Sequence, residues 1–99
     1  ITFEQLMKQI IEDKYALNEI QEQTYIRHLE TLKMLGSINQ IPLQKINYSM
    51  LKQLLISMVN YSDSTIKKLY MMLNQCFREA QKRKIIAENP MEDLKRPKS

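Results

Sequence analysis

Apolar residues recur along much of this chain at steps of three and four, the spacing that lines one face of an α-helix. Phe3, Leu6, Met7, Ile10 and Ile11 share such a face behind Thr2 and Gln5, which stand at the capping-box spacing, so a first helix is predicted over about residues 3–14. YALNEIQ reads as a connection. Tyr25, Ile26, Leu29, Leu32 and Leu35 then predict a second helix over about 21–35, with Gly36 just past its end as the stop. The segment GSINQIPLQKIN, residues 36–47, reads as a loop pinned to the core by Ile41, Leu43 and Ile46. Asn47 is the expected N-cap of a third helix over about 48–59, carrying Leu51, Leu54, Leu55 and Met58. A polar turn, NYSDS, offers Ser62 or Ser64 as the cap of the longest helix, about 64–83, whose buried face is Ile66, Leu69, Tyr70, Leu73, Cys76, Phe77 and Ala80. Ile85 and Ile86 are expected to fold the exit back onto the bundle. Asn89, Pro90 and Glu92 have the spacing of a capped helical turn near 90–95. The pattern predicts an all-α protein, a compact four-helix bundle.

Composition agrees with one small helical domain: 99 residues, 43% hydrophobic and 26% charged, with one Gly and three Pro. Cys76 is alone at a helical apolar position, which excludes a disulfide framework and points to a buried thiol in a reducing, cytoplasmic setting. No apolar run approaches the roughly 20 residues of a membrane span, so no membrane partner is expected. The chain starts at Ile1, not Met, which suggests a piece of something longer. Seven methionines sit mostly at or beside the apolar stripes, where core filling is their expected role.

The net charge of +4 hides an asymmetry. Residues 1–49 hold five basic and six acidic side chains, whereas residues 50–99 hold ten and five. On the last long helix, Lys67, Met71, Asn74, Arg78 and Gln81 or Lys82 share an exposed stripe flanked by Lys68, and Ser64 and Thr65 lie in its first turn. Gln23, Thr24, Arg27, His28 and Thr31 collect in the same way on the second helix. Arg, Lys, Asn, Gln and Thr are the side chains that contact phosphates and major-groove base edges, and they also populate ordinary solvated helix faces. Enzymatic chemistry has little to work with. A single His28 closes neither a multi-His metal site nor a triad, one glycine makes no phosphate loop, and acidic neighbours such as Glu12 and Asp13 point apart on a helix. No cofactor is expected.

Taken in order, Thr24-Tyr25 opening a helix, Leu29 and Leu32, Gly36, Ile46 and Ser64-Thr65-Ile66 form the first part of a recognisable series. It ends in Phe77, Ala80, Lys84-Ile85-Ile86, Asn89-Pro90 and Arg96-Pro97-Lys98, and the stretch from Ser64 to Pro97 is its most specific part. This series resembles the core-binding, SAM-like N-terminal domain of phage-integrase-type tyrosine recombinases. The resemblance implies a domain that clamps one side of a DNA duplex while a separate catalytic domain of the same chain clamps the other. None of the five tyrosines is assigned as nucleophile, so the fragment is expected to bind DNA and be inactive alone. By the same resemblance, Thr24, Arg27, His28, Ser64, Thr65, Lys67 and Lys68 lie near the DNA. Residues 1–94 would be the binding domain, and residues 95–99, with Arg96 and Lys98, the start of a basic linker tracking along the duplex. Other recombinase protomers are implied partners. Lys84 stands where the family often has a glycine leaving the helix in a left-handed turn. Two alternatives remain open: a protein-interaction module docking through Met34, Met71 and Met72, or a helix-turn-helix-type regulator, for which the last helix is long.

Overall fold

The first helix begins as its sequence dictates. Thr2 N–H donates to Gln5 Oε1 (2.8 Å) and Gln5 N–H donates to Thr2 Oγ1 (3.2 Å), the reciprocal box that satisfies two otherwise orphaned donors. In the computed structural model, which describes residues 1–98, this helix (α1) runs Phe3–Ala16. It is followed by α2 (Glu22–Lys33), a single helical turn α3 (Gly36–Asn39), a 3-10 turn at Leu43–Lys45, α4 (Tyr48–Ser57) and α5 (Asp63–Lys82). The all-α bundle is as predicted. An added short helix makes the connection between α2 and α4 more structured than the loop expected from its Gly and Pro.

Phe3 and Phe77 are both fully buried, and their rings meet at 5.7 Å between centroids, tilted by 43°, which ties the start of α1 to the middle of α5. α1 packs against α2, α3 and α5, and α2 also packs against α3 and α5. Leu51, Leu55 and Met58 bring α4 onto the same core. Ile38, Leu43 and Ile46 from the connection are buried, while Ile41 packs against the core only in part. The connection also pairs with the N-terminus. Phe3 N–H donates to Ile41 C=O (3.1 Å) and Leu43 N–H to Ile1 C=O (3.0 Å), a two-sided stitch at Thr2 and Pro42.

Several boundaries differ from expectation. α1 continues to Ala16 and leaves through Asn18, whose φ of 60° is tolerated because its short polar side chain adapts to the left-handed region. α2 ends at Lys33, and Gly36 is not its left-handed stop: no glycine has positive φ, and Gly36 instead opens α3. The α2 carbonyls find other donors. Met34 N–H and Leu35 N–H take Thr31 and Leu32 C=O as tightened turns, and the buried Asn39 side chain donates its Nδ2 to Leu32 C=O at 2.9 Å. α4 starts at its predicted cap, Asn47 Oδ1 accepting from Met50 N–H (2.9 Å), and ends at Ser57, two residues short of Val59. α5 is capped by Ser62 and not Ser64, so it begins at Asp63.

Past α5, Lys84 has a φ of 62°, the left-handed exit that the family pattern implied, at a cost of about 1 kcal/mol for a residue with a Cβ. Ile85 and Ile86 then pack partly against the core. The expected helical turn near 90–95 is a plain turn. Asn89 Oδ1 accepts from Met91 N–H (2.9 Å), two residues on, where the sequence suggested a box completed by Glu92. Met91 and Leu94 are buried, and the Tyr70 hydroxyl donates to Leu94 C=O at 2.6 Å. Residues 95–98 have no regular structure, and Ser99, the last residue of the expected linker start, lies outside the described residues.

Candidate functional site

α2 and α5 lie side by side, and their outer faces diverge to leave an open groove of about 930 Å³. Period 3.6 decides which side chains enter it. On α5 they are Thr65, Lys68, Leu69, Met71, Met72, Asn74, Gln75, Arg78, Glu79 and Lys82, and on α2 they include Thr24, Arg27, His28, Glu30 and Thr31. Eight of the residues singled out from the sequence therefore meet in one place: Thr24, Arg27, His28, Thr31, Thr65, Lys68, Asn74 and Arg78. Gln23, Ser64 and Lys67 are exposed on the same two helices but do not line the groove, and Arg96 and Lys98 are exposed on the tail away from it. Gln81, offered together with Lys82 as the end of the α5 stripe, turns instead to the tail, where its Nε2 donates to Ala87 C=O at 3.2 Å.

Lys14 is the groove cation that the sequence reading missed. It continues the α1 apolar stripe one turn beyond Ile10 and Ile11, so its stem follows the packed face while its ammonium reaches out. What places it is tertiary. Tyr15 stacks on Tyr25 with centroids 4.5 Å apart, and the Tyr25 hydroxyl donates to Glu12, which fastens the end of α1 to the start of α2. That hydrogen bond to the carboxylate, with burial second, raises the Tyr25 pKa. Lys14 thereby lies near His28. Burial first and the Lys14 charge second push the His28 imidazole below its ordinary value.

The charge balance of the groove is positive. Lys14, Arg27, Lys68, Arg78 and Lys82 face Glu30 and Glu79, and none of these five cations has an ion-pair partner among the described residues. Glu79 is already engaged, accepting from Arg83 Nε at 2.7 Å, and Arg83 reaches on to Asp13 (3.7 Å) and Gln9 (3.1 Å). At the start of α5 the hydroxyls serve the fold: Thr65 N–H donates to Ser62 Oγ (3.3 Å), and the Thr65 and Ser64 hydroxyls lie 2.9 and 3.3 Å from the same oxygen. Thr31 Oγ1 likewise donates back to Arg27 C=O (3.0 Å).

The site offers charge, amides and hydroxyls rather than a nucleophile. Cys76 is buried with its thiol pushed up to about 12, chiefly by burial, and its Sγ lies 3.9 Å from Phe3 C=O, as a core side chain. Among the described residues no group of three or more His, Cys, Asp or Glu side chains is placed to hold a metal ion, and no helix is long and apolar enough to cross a membrane. A second open depression, near the tail, is lined by Tyr48, Ile85, Ile86, Glu88, Glu92 and Asp93, among others.

A family model described as a phage integrase SAM-like domain matches residues 2–96. No curated protein and no solved structure matches the chain.

Proposed function

The chain belongs to the phage integrase SAM-like family, and on that premise we propose that it is the DNA-binding half of a tyrosine-recombinase clamp, holding crossover-site duplex in the α2–α5 groove. The observation that carries the reading is the convergence of five unpaired cations from three helices on one groove. A duplex presents closely spaced phosphates, and Arg27, Lys68 and Arg78 supply their counter-charges while Thr24 and Thr65 add hydroxyl donors. α5, at 20 residues, is about 30 Å long, enough to track the duplex across several phosphates. Gln23, Ser64 and Lys67 extend the contact at the helix starts, and Arg96 and Lys98 continue it along a strap.

In this proposal residues 1–94 are the binding module and residues 95–99 begin the connection to a catalytic domain of the same chain. That domain holds the strand-cutting chemistry, so this fragment is not an enzyme by itself. Its partners are double-stranded DNA and other protomers assembled on it, and its place is the cytoplasm, on the nucleoid. The rival protein-docking reading has Met34 and Met71 in its favour, since both are exposed in the groove. The cations around them favour a polyanion.

Fluorescence anisotropy with a labelled duplex at two salt concentrations tests the proposal. Affinity is expected to fall steeply with salt, and Lys68→Glu with Arg78→Glu is expected to lower the slope of log K against log salt by about 2, about one per lost phosphate contact. Binding that ignores salt, or no binding even at low salt, overturns it.

A further inference from the structure

Met34, the residue just past the end of α2, and Met71 on α5 lie in the same groove, 47% and 59% exposed, above a floor that includes the buried Leu69 and Met72. Singly exposed apolar side chains are ordinary. Here two flexible thioethers, one from the end of α2 and one from α5, line one concave surface together with Arg27, Lys68 and Arg78. Three and four residues along α5 from Met71 stand Asn74 and Gln75, on the same helix face. Both are half-buried, and neither amide has a hydrogen-bond partner among the described residues. The groove lining thus combines exposed apolar surface with unused amide donors and acceptors, alongside its cations.

Those are the complements of one kind of base pair. In the major groove adenine offers the N7 acceptor and N6 donor that an Asn or Gln amide matches in two bonds, and thymine offers an apolar C5 methyl; a G·C pair has no methyl there. We propose that Met71, with Met34 beside it, covers thymine methyl groups while Asn74 or Gln75 reads adenine, so that the domain prefers A·T steps at the centre of its footprint. The cations of the groove then supply affinity, and the thioethers and amides supply selectivity. This inference rests on the reading of the groove as a DNA-binding surface.

The test replaces thymine by uracil, which removes the methyl and leaves the pairing edge alone. Anisotropy is measured on a short alternating A–T duplex and on the same duplex with deoxyuridine for thymidine, with wild type and with Met71→Ala and Met34→Ala singly and together. Both methionines are exposed and alanine is the better helix former, so the variants are expected to fold; circular dichroism checks this. Wild type is expected to bind the thymine duplex about fourfold more tightly for each methyl covered, the scale of burying one such group. The double variant is expected to bind both duplexes alike. Equal affinity of wild type for the two duplexes, with salt dependence retained, overturns methyl reading and leaves the DNA-binding proposal standing. A thymine preference that survives in the double variant also overturns it. No binding to either duplex at low salt removes both, and capture of a protein partner abolished by Met71→Asp but indifferent to Lys68→Glu would assign the thioethers to protein docking instead.

Discussion

His28 is the one groove residue whose charge changes near neutral pH. On its own helix Arg27 and Glu30 are near, Lys14 faces it from α1, and Lys68, Arg78, Glu79 and Lys82 line the groove from α5. Cations outnumber carboxylates in this set, which agrees with a pKa held below 6.5. Between that lowered value and 6.5 the unfolded chain binds more protons than the folded one, so His28 takes stability away as pH falls through this window and has no such effect above it. DNA held in the groove, as proposed, would reverse the sign for binding. Phosphates favour the imidazolium, so the bound pKa lies above the free one and affinity rises as pH falls towards the free value. Anisotropy from about pH 8 to about pH 5.5 is expected to show this rise in wild type and to lose most of it in His28→Gln. A pH-independent wild type would place His28 away from phosphate. The sequence identified His28 by its position among Thr24, Arg27 and Thr31 on one helical face. It did not identify Lys14, because tertiary contacts, the Tyr15–Tyr25 stack and the Tyr25–Glu12 bond, bring the end of α1 to that face.

The two helix exits show how far local patterns reach. Gly36 follows an apolar stripe and has the sequence signature of a left-handed stop, yet it adopts negative φ and starts α3. The signal that wins lies just past the glycine: Asn39, buried with Ile38, donates to Leu32 C=O, so the end of α2 is satisfied without a left-handed glycine. The left-handed exit of α5 at Lys84 was legible only through the family series, since lysine has no preference for it. These geometries make opposite substitutions favourable. A Cβ at Gly36 meets nothing within 4 Å, so Gly36→Ala is expected to stabilise by about 0.4–1 kcal/mol, where a true left-handed stop would lose stability. Lys84→Gly is expected to gain up to about 1 kcal/mol by removing the Cβ penalty, set against some added freedom of the unfolded chain. Urea unfolding midpoints at constant m-value read both, and destabilisation by Gly36→Ala would refute the α3 assignment. The helices themselves were legible because their apolar residues keep period 3.6, and the boundaries shifted because apolar periodicity does not report which nearby side chain or backbone group closes each end.

At the scale of the whole molecule, the segment after α5 belongs to the core. Met91 and Leu94 are buried, Tyr70 donates to Leu94 C=O, and Ile85 and Ile86 pack against the bundle, whereas residues 95–98 leave it. The family resemblance implies a binding module at 1–94, and the two isoleucines are legible in the sequence as the residues that fold the exit back. The burial of Met91 and Leu94 is not legible there, because two apolar residues in one short turn are too few to define a buried stripe. Two truncations separate the roles. Ending the chain after Lys84 strips Met91 and Leu94 from their sites, at about 2 kcal/mol for each apolar side chain re-exposed, and leaves the Tyr70 hydroxyl without its acceptor. A loss of roughly 3–5 kcal/mol is expected, a large part of the 5–15 kcal/mol that holds a small domain folded, visible as a lowered urea midpoint or loss of cooperative unfolding. Ending it after Lys95 removes Arg96 and Lys98 but, among the described residues, no buried side chain, so the midpoint is expected to stay put. If the strap tracks along the duplex, the salt slope of DNA binding falls by up to about 2 in that second truncation. An unchanged midpoint with an unchanged salt slope would confine the interface to the α2–α5 groove, and a lowered midpoint would move the domain boundary beyond Leu94.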